Sequence, residues 1–257
     1  MLRVKVTLLG LYVRHQVEVY DVINYRLQCR LAVPNLRGLT DVTSCEHYRC
    51  VYIADHIDEC IHRVDAQGAP IAATRWAVND KPVGLSVNAA HNVLVTCREV
   101  RKIKEFSSHG GLLRELTLPD DVINPRHAIQ TRSGEFIVCH GGDDDDDVHR
   151  VCKISADGHN VIQSHGGLSG SDIGQYHGPR HLTVDNNEFV FVADIGNRRV
   201  TLLSPTLVYI RQVVSRVDLK WFPSRLCLDV HRRRLYVTDN EWKNYKYIAG
   251  RVVVFSV

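Results

Sequence analysis

The stretch from Gly174 to Pro205, GQYHGPRHLTVDNNEFVFVADIGNRRVTLLSP, holds three apolar segments separated by two polar ones. HLTV alternates apolar with polar side chains, FVFVA is apolar throughout, and RVTLL alternates again. The intervening DNNE and DIGNR are rich in short acids, amides and glycine, which turn a chain by bonding its own backbone. Period-two alternation with abundant Val, Phe and Thr marks β-strands, and such short turns make them consecutive and antiparallel. A strand apolar on both faces must be covered on both sides. The stretch therefore describes one sheet packed between neighbours.

The same order of events recurs along the chain. Pro34, Pro82, Pro125, Pro179 and Pro223 are separated by 48, 43, 54 and 44 residues. After each comes an alternating segment (GLTDV, GLSVN, HAIQT, HLTVD, RLCLD), a turn and a more apolar segment (CVYIAD, NVLVTC, EFIVCH, FVFVAD, RLYVTD). A polar loop and a third segment follow (CIHRVD, KIKEFS, HRVCKIS, RVTLLS, RVVVFS), with fourth strands such as LLRELTL and LVYIRQVVS in most units. No segment keeps apolar residues at helical spacing, so the chain reads as all-β. Several strands per 40 to 50 residues is the signature of a β-propeller blade, which buries its faces only by stacking on others. Residues 1–257 are expected to form one closed propeller of four-stranded blades. Three strand candidates before Pro34 (Val4–Leu9, Gln16–Tyr20, Tyr25–Val33) make residues 1–33 a partial first blade, giving six blades with the first and last incomplete. Five blades is the alternative.

With these residues in view, the Gly174–Pro205 unit resembles the NHL repeat. That repeat runs from a proline through a hydrophobic-x-Val-Asp segment to a Val-Ala-Asp strand end, an Asn-x-Arg turn and a Val-x-x-hydrophobic strand. Units from Pro34, Pro125 and Pro223 match in outline, while the unit from Pro82 has Thr96-Cys97 where Ala-Asp would stand. The resemblance implies a binding platform for protein or RNA, as in the propellers that end tripartite-motif ubiquitin ligases and translational repressors. Zinc-binding and coiled-coil modules of such proteins are absent from these residues, so ligase activity is not implied for this chain.

Composition narrows the function classes. With 44% hydrophobic and 24% charged residues the chain is an ordinary globular one, and a net charge of +3 does not by itself call for nucleic acid. The eight cysteines include no pair at two-residue spacing, and most lie in apolar segments, so they read as buried reduced thiols of a cytoplasmic protein. A Cys45–Cys50 pair is the alternative. The segment MLRVKVTLLGLYVRHQ lacks a small-residue cleavage site, and no apolar run is long enough for a spanning helix, so no membrane role is expected.

Site candidates follow from the repeat. Asp194, Asn197 and Arg199, with Asp55 and Asp239 at corresponding strand ends, are expected to hold turns. Arg126, His127, Arg180, His181 and Arg225 enter innermost strands and are placed on the loop face, with Arg198 in a neighbouring turn. Trp221, Trp242 and Tyr245 interleave with Lys243 and Lys246 on the same face, a pattern that suits a protein partner and, as the alternative, RNA. His127 and His181 alone fall short of the three ligands a catalytic zinc wants. Asp143 to Asp147 is expected to be a solvated loop rather than a calcium site, since adjacent carboxylates diverge. No nucleophile elbow or phosphate loop is present, so no catalytic residue and no cofactor is assigned, and a metal-dependent lyase or hydrolase is the third reading.

Overall fold

The computed structural model describes residues 17–21, 23–31, 33–65, 74–142, 147–243 and 246–257, and only the backbone of 242–243 and 246–248. All strand and helix assignments among them are β-strand. By contacts the chain divides into two compact units, Met1–Leu116 and Thr117–Val257.

In the first unit β1 (Val17–Tyr20) and β2 (Leu27–Leu31) form a two-stranded ribbon. One four-stranded sheet follows, of β3 (Leu39–Cys45), β4 (Cys50–Asp55), β5 (Cys60–Asp65) and β6 (Thr74–Ala77). Another contains β7 (Pro82–Val87), β8 (Val93–Cys97), β9 (Lys102–Phe106) and β10 (Leu112–Thr117). The second unit begins with β11 (Pro125–Gln130), β12 (Phe136–Gly141), β13 (Val148–Ile154) and β14 (Val161–Leu168). Its next sheet holds β15 (Pro179–Val184), β16 (Val190–Asp194), β17 (Arg199–Leu203) and β18 (Tyr209–Val214). The last has three strands, β19 (Phe222–Asp229), β20 (Arg234–Lys243) and β21 (Lys246–Ser256). Every sheet is an antiparallel meander in chain order. Five sheets of three or four strands match the five-bladed alternative rather than six. The expected first blade contributes only the ribbon, its candidate strand Val4–Leu9 lying outside the described residues.

Alternation explains why the second strands are so apolar. In β4, Cys50, Tyr52 and Ala54 pack with Leu85, Val93 and Val95 of the next sheet, while Val51 and Ile53 pack with Val17, Val19 and Leu31 of the ribbon. In β16, Val190 and Val192 join Ile137, Cys139 and Tyr176, while Phe191 and Ala193 join Leu226, Leu235 and Val237. Both faces are buried, so the polar half of the alternation is lost. A fully buried Val, Leu or Phe is worth roughly 1.5–3 kcal/mol, which is what holds neighbouring blades face to face.

The prolines mark a bulge. Pro82, Pro125, Pro179 and Pro223 pair with Cys97, His140, Asp194 and Asp239, and in each the register then skips one residue. Proline suits such a place because it has no N–H to give the ladder. In β3 the skip follows Leu39, which pairs with Asp55, so Leu39 and not Pro34 holds the equivalent place. Pro34 lies in the turn that Leu36 N–H closes on the Val33 carbonyl, 3.4 Å. Aligning on proline therefore shifts the first repeat.

Candidate functional site

In the five sheets of three or four strands one register position near the end of the second strand recurs; β4–β5, β8–β9 and β16–β17 turn directly after it, while β12–β13 and β20–β21 pair on past it. In β16–β17, Asp194 pairs in register with Arg199, and residue 198 takes positive φ, 52°, to close the four-residue turn. The wholly buried Asp194 carboxylate accepts from His177 N–H (2.8 Å), Asn197 Nδ2 (2.7 Å) and Arg199 Nε (2.9 Å). Burial pushes this carboxyl up, while Asn197, the His177 N–H and Arg199 pull it back. Arg199 also donates to the carbonyls of Ser171 (2.7 Å) and Gln175 (2.6 Å), tying the incoming loop to the turn. Asp239 repeats the design with Lys220 N–H, Trp221 N–H and Arg251 Nε, all within 2.8 Å. Asp55 accepts four backbone N–H groups, from Arg37, Gly38, Ile57 and Asp58. Burial would raise its pKa, and those four donors hold it below the usual carboxylate range.

Beside the Asp194 turn lies a cavity of about 520 Å³, lined by Ser171, Gly196, Asn197, Arg198, Arg199, Gln212, Arg216 and Phe222. Arg198 is fixed there by the carbonyls of Trp221 (2.8 Å), Leu219 (3.0 Å) and Lys220 (2.7 Å), its guanidinium 5.8 Å from the Phe222 ring centre. Arg216 is exposed, and Lys220 lies over Trp221 at 4.3 Å. Cationic groups over ring faces make an anion-favouring surface beside aromatic side chains.

The Pro-Arg-His segments behave differently from a loop surface. His127 and His181 lie inside β11 and β15, 2% and 7% exposed, with rings stacked 3.9 Å apart. His181 Nδ1 accepts from Leu226 N–H at 3.3 Å. Burial, then the charges of His127, Arg225 and Arg180, hold His181 well below its ordinary pKa. Arg126 and Arg180 occupy the bulges and are half-buried, as is Arg225, whose Nη1 bonds the Ser224 carbonyl at 2.9 Å. Trp242, Lys243 and Lys246 fall in β20 and β21, Trp242 pairing with Tyr247 and Lys243 with Lys246. Tyr245 and Asp143 to Asp146 lie outside the described residues.

The register also shows residues that sequence reasoning passed over. Asp41 holds in β3 the place that His127 and His181 hold in β11 and β15, and its buried carboxylate accepts from Leu85 N–H at 2.7 Å. A fixed count misses it, since Asp41 lies 14 residues before Asp55 and His181 lies 13 before Asp194; only the ladder register aligns them. Cys60 and His62 likewise went unread, as did His140 and Cys152, whose Nε2 and Sγ are 3.1 Å apart. Their signal is that strand neighbours two apart share one face.

No family model matches the chain, and no curated protein matches it. Solved structures do. A protein of unknown function from Bacteroides caccae is 13% identical with a TM-score of 0.66, over 88% of this chain and 79% of that one. A streptogramin B lyase is 18% identical with a TM-score of 0.61, over 88% and 71%. A structure of the nidogen/laminin complex is 17% identical with a TM-score of 0.64, over 88% and 82%. Identities this low carry the fold alone, and that fold is the β-propeller. These similar propellers include both an enzyme and a protein complex.

Proposed function

We propose that this β-propeller is a non-enzymatic recognition module that binds a protein partner through the turns of its second unit. The observation that carries this reading is the cavity beside Arg198, Arg199, Arg216 and Phe222. Arg198 is committed to backbone carbonyls and presents fixed positive charge, Arg199 is neutralised by Asp194 and shapes the wall, and exposed Arg216 extends the charge toward an incoming group. A carboxylate of a partner fits between them while an apolar or aromatic neighbour rests on Phe222 and Trp221. The narrower assignment to NHL-type repeats rests on the Gly174–Pro205 motif, and buried thiols support a cytoplasmic setting.

Screening of the intact chain against a displayed peptide library tests this. Acidic peptides with a neighbouring aromatic residue should be enriched, and Arg216→Glu with Lys220→Glu should abolish the enrichment. RNA is the second reading, favoured by the arginines in the bulges and turns. Six to ten phosphate contacts would weaken binding by about three to five decades between about 50 and 200 mM salt. Steep salt dependence together with loss of the partner on nuclease treatment would replace the protein reading with the RNA one.

A further inference from the structure

The junction between second and third strands is filled differently in the first unit. In register, Asp194 faces Arg199 and Asp239 faces Arg251, so a guanidinium neutralises each buried carboxylate. Asp55 faces Cys60 instead, and His62 follows on the same side of β5. All three side chains are at most 1% exposed. His62 Nε2 lies 3.5 Å from Cys60 Sγ and 3.6 Å from Asp55 Oδ2.

This arrangement is not a nucleophilic triad. A relay needs the two imidazole nitrogens to face different partners, with the carboxylate orienting one and the thiol bonded to the other. Here sulfur and carboxylate converge on the same nitrogen. Burial also pushes the Cys60 thiol up to about 11, the wrong direction for a nucleophile at neutral pH. Convergence of sulfur, nitrogen and oxygen on one point is the geometry of ligands around a cation. Bonds of about 2.3 Å to sulfur and about 2.0–2.2 Å to nitrogen and oxygen, at tetrahedral angles, put ligand atoms roughly 3.3–3.6 Å apart.

We propose that Asp55, Cys60 and His62 form a structural or regulatory site for a divalent, thiophilic cation, with zinc the best fit to the donor set. Charge supports the choice: a thiolate, a carboxylate and a neutral imidazole around a doubly charged ion sum to zero, replacing the missing arginine. Orientation supports it too, because three N–H donors hold Asp55 Oδ1 and one holds Oδ2, leaving Oδ2 room toward the histidine. The site lies under the single turn of residues 56–59, where Ile57 is 48% exposed, so a local opening of that turn admits the ion. On binding, the Cys60 S–H proton leaves to solvent and a sulfur–metal bond forms. Three protein ligands leave a fourth position for water.

The test uses the intact chain, stripped with chelator and reloaded with zinc or cobalt(II) alone. The expected result is one tightly held equivalent of zinc and, with cobalt, a thiolate-to-metal charge-transfer band with the visible bands of a tetrahedral ion. Cys60→Ser and His62→Gln should remove the charge-transfer band or weaken metal affinity about tenfold or more, whereas Cys152→Ser, at the place of His62 in β13, should bind as the parent does. Zinc should raise the melting temperature of the parent chain and not of the Cys60→Ser or His62→Gln variants. Should both variants fail to fold, alkylation of the parent mapped by mass spectrometry gives the answer, with zinc expected to protect Cys60. Absence of stoichiometric zinc, a cobalt spectrum without the thiolate band, undiminished affinity in Cys60→Ser, or no protection of Cys60 overturns the proposal.

Discussion

Arg199 shares its donors between one carboxylate and the carbonyls of the loop that leads into its sheet. Its side chain is 12% exposed against 0% for Asp194, so removing it strands a buried charge. Arg199→Ala is expected to cost about 3 kcal/mol. Arg251→Ala, whose parent side chain is 45% exposed and bonds the equivalent Asp239, should cost only about 1 kcal/mol. Urea unfolding of the two variants measures both, and the reverse order would show that burial does not set the difference. The Asp194, Asn197 and Arg199 cluster was legible from sequence because all three lie in one turn. Cys60 and His62 were not, since a cysteine and a histidine within an apolar strand read as core filling until pairing across the hairpin brings Asp55 beside them.

At the scale of the element, β14 carries two adjacent glycines with different burdens. Gly166 takes φ 112° and faces the His149 carbonyl so closely that a Cβ would collide with it, whereas a Cβ on Gly167 meets nothing within 4 Å. Gly166→Ala should cost about 2 kcal/mol or more, and Gly167→Ala should be neutral or slightly stabilising. Melting temperatures of the pair decide the matter, and equal losses would mean the strand resists any side chain there. Strands were the most legible feature of this chain because covered second strands and half-covered flanking strands write different patterns. Register was less legible: proline marks the bulge in four sheets, but any residue whose N–H is spared can sit there, and β3 uses Leu39. The half-buried arginines and buried histidines of the bulges followed from that register, which turns a sequence that looks like loop into the start of a strand.

Across the whole molecule, buried histidines should make stability fall in mild acid. Burial, then the Arg150 charge, lowers His140 to about 4, and His62, His165 and His181 are lowered in the same direction, burial being the first cause each time. Unfolded histidines titrate near 6.5, so above that pH neither state takes a proton. Between about 6.5 and 4 the unfolded chain binds a proton that folded His140 refuses, which removes about 1.4 kcal/mol per pH unit, and the other three histidines act in the same direction. The urea midpoint should drop from pH 7 to pH 5, less steeply in His140→Gln, and a flat or rising profile would contradict the assignment. Thiols offer a second global reading. Only Cys29 and Cys227 are partly exposed, so a thiol reagent should label these two promptly and all eight after denaturation. Rapid labelling of more would mean that the blades open readily. The place where Asp194 meets Arg199 is occupied by five different sets in one chain: Asp55, Cys60 and His62; Cys97, Lys102 and Lys104; His140, Arg150 and Cys152; Asp194, Arg199 and Thr201; Asp239, Arg251 and Val253. Three of these hairpins turn directly after the position, in four residues, while β12–β13 and β20–β21 go on pairing past it, so the ladder register rather than the turn decides which side chains meet there.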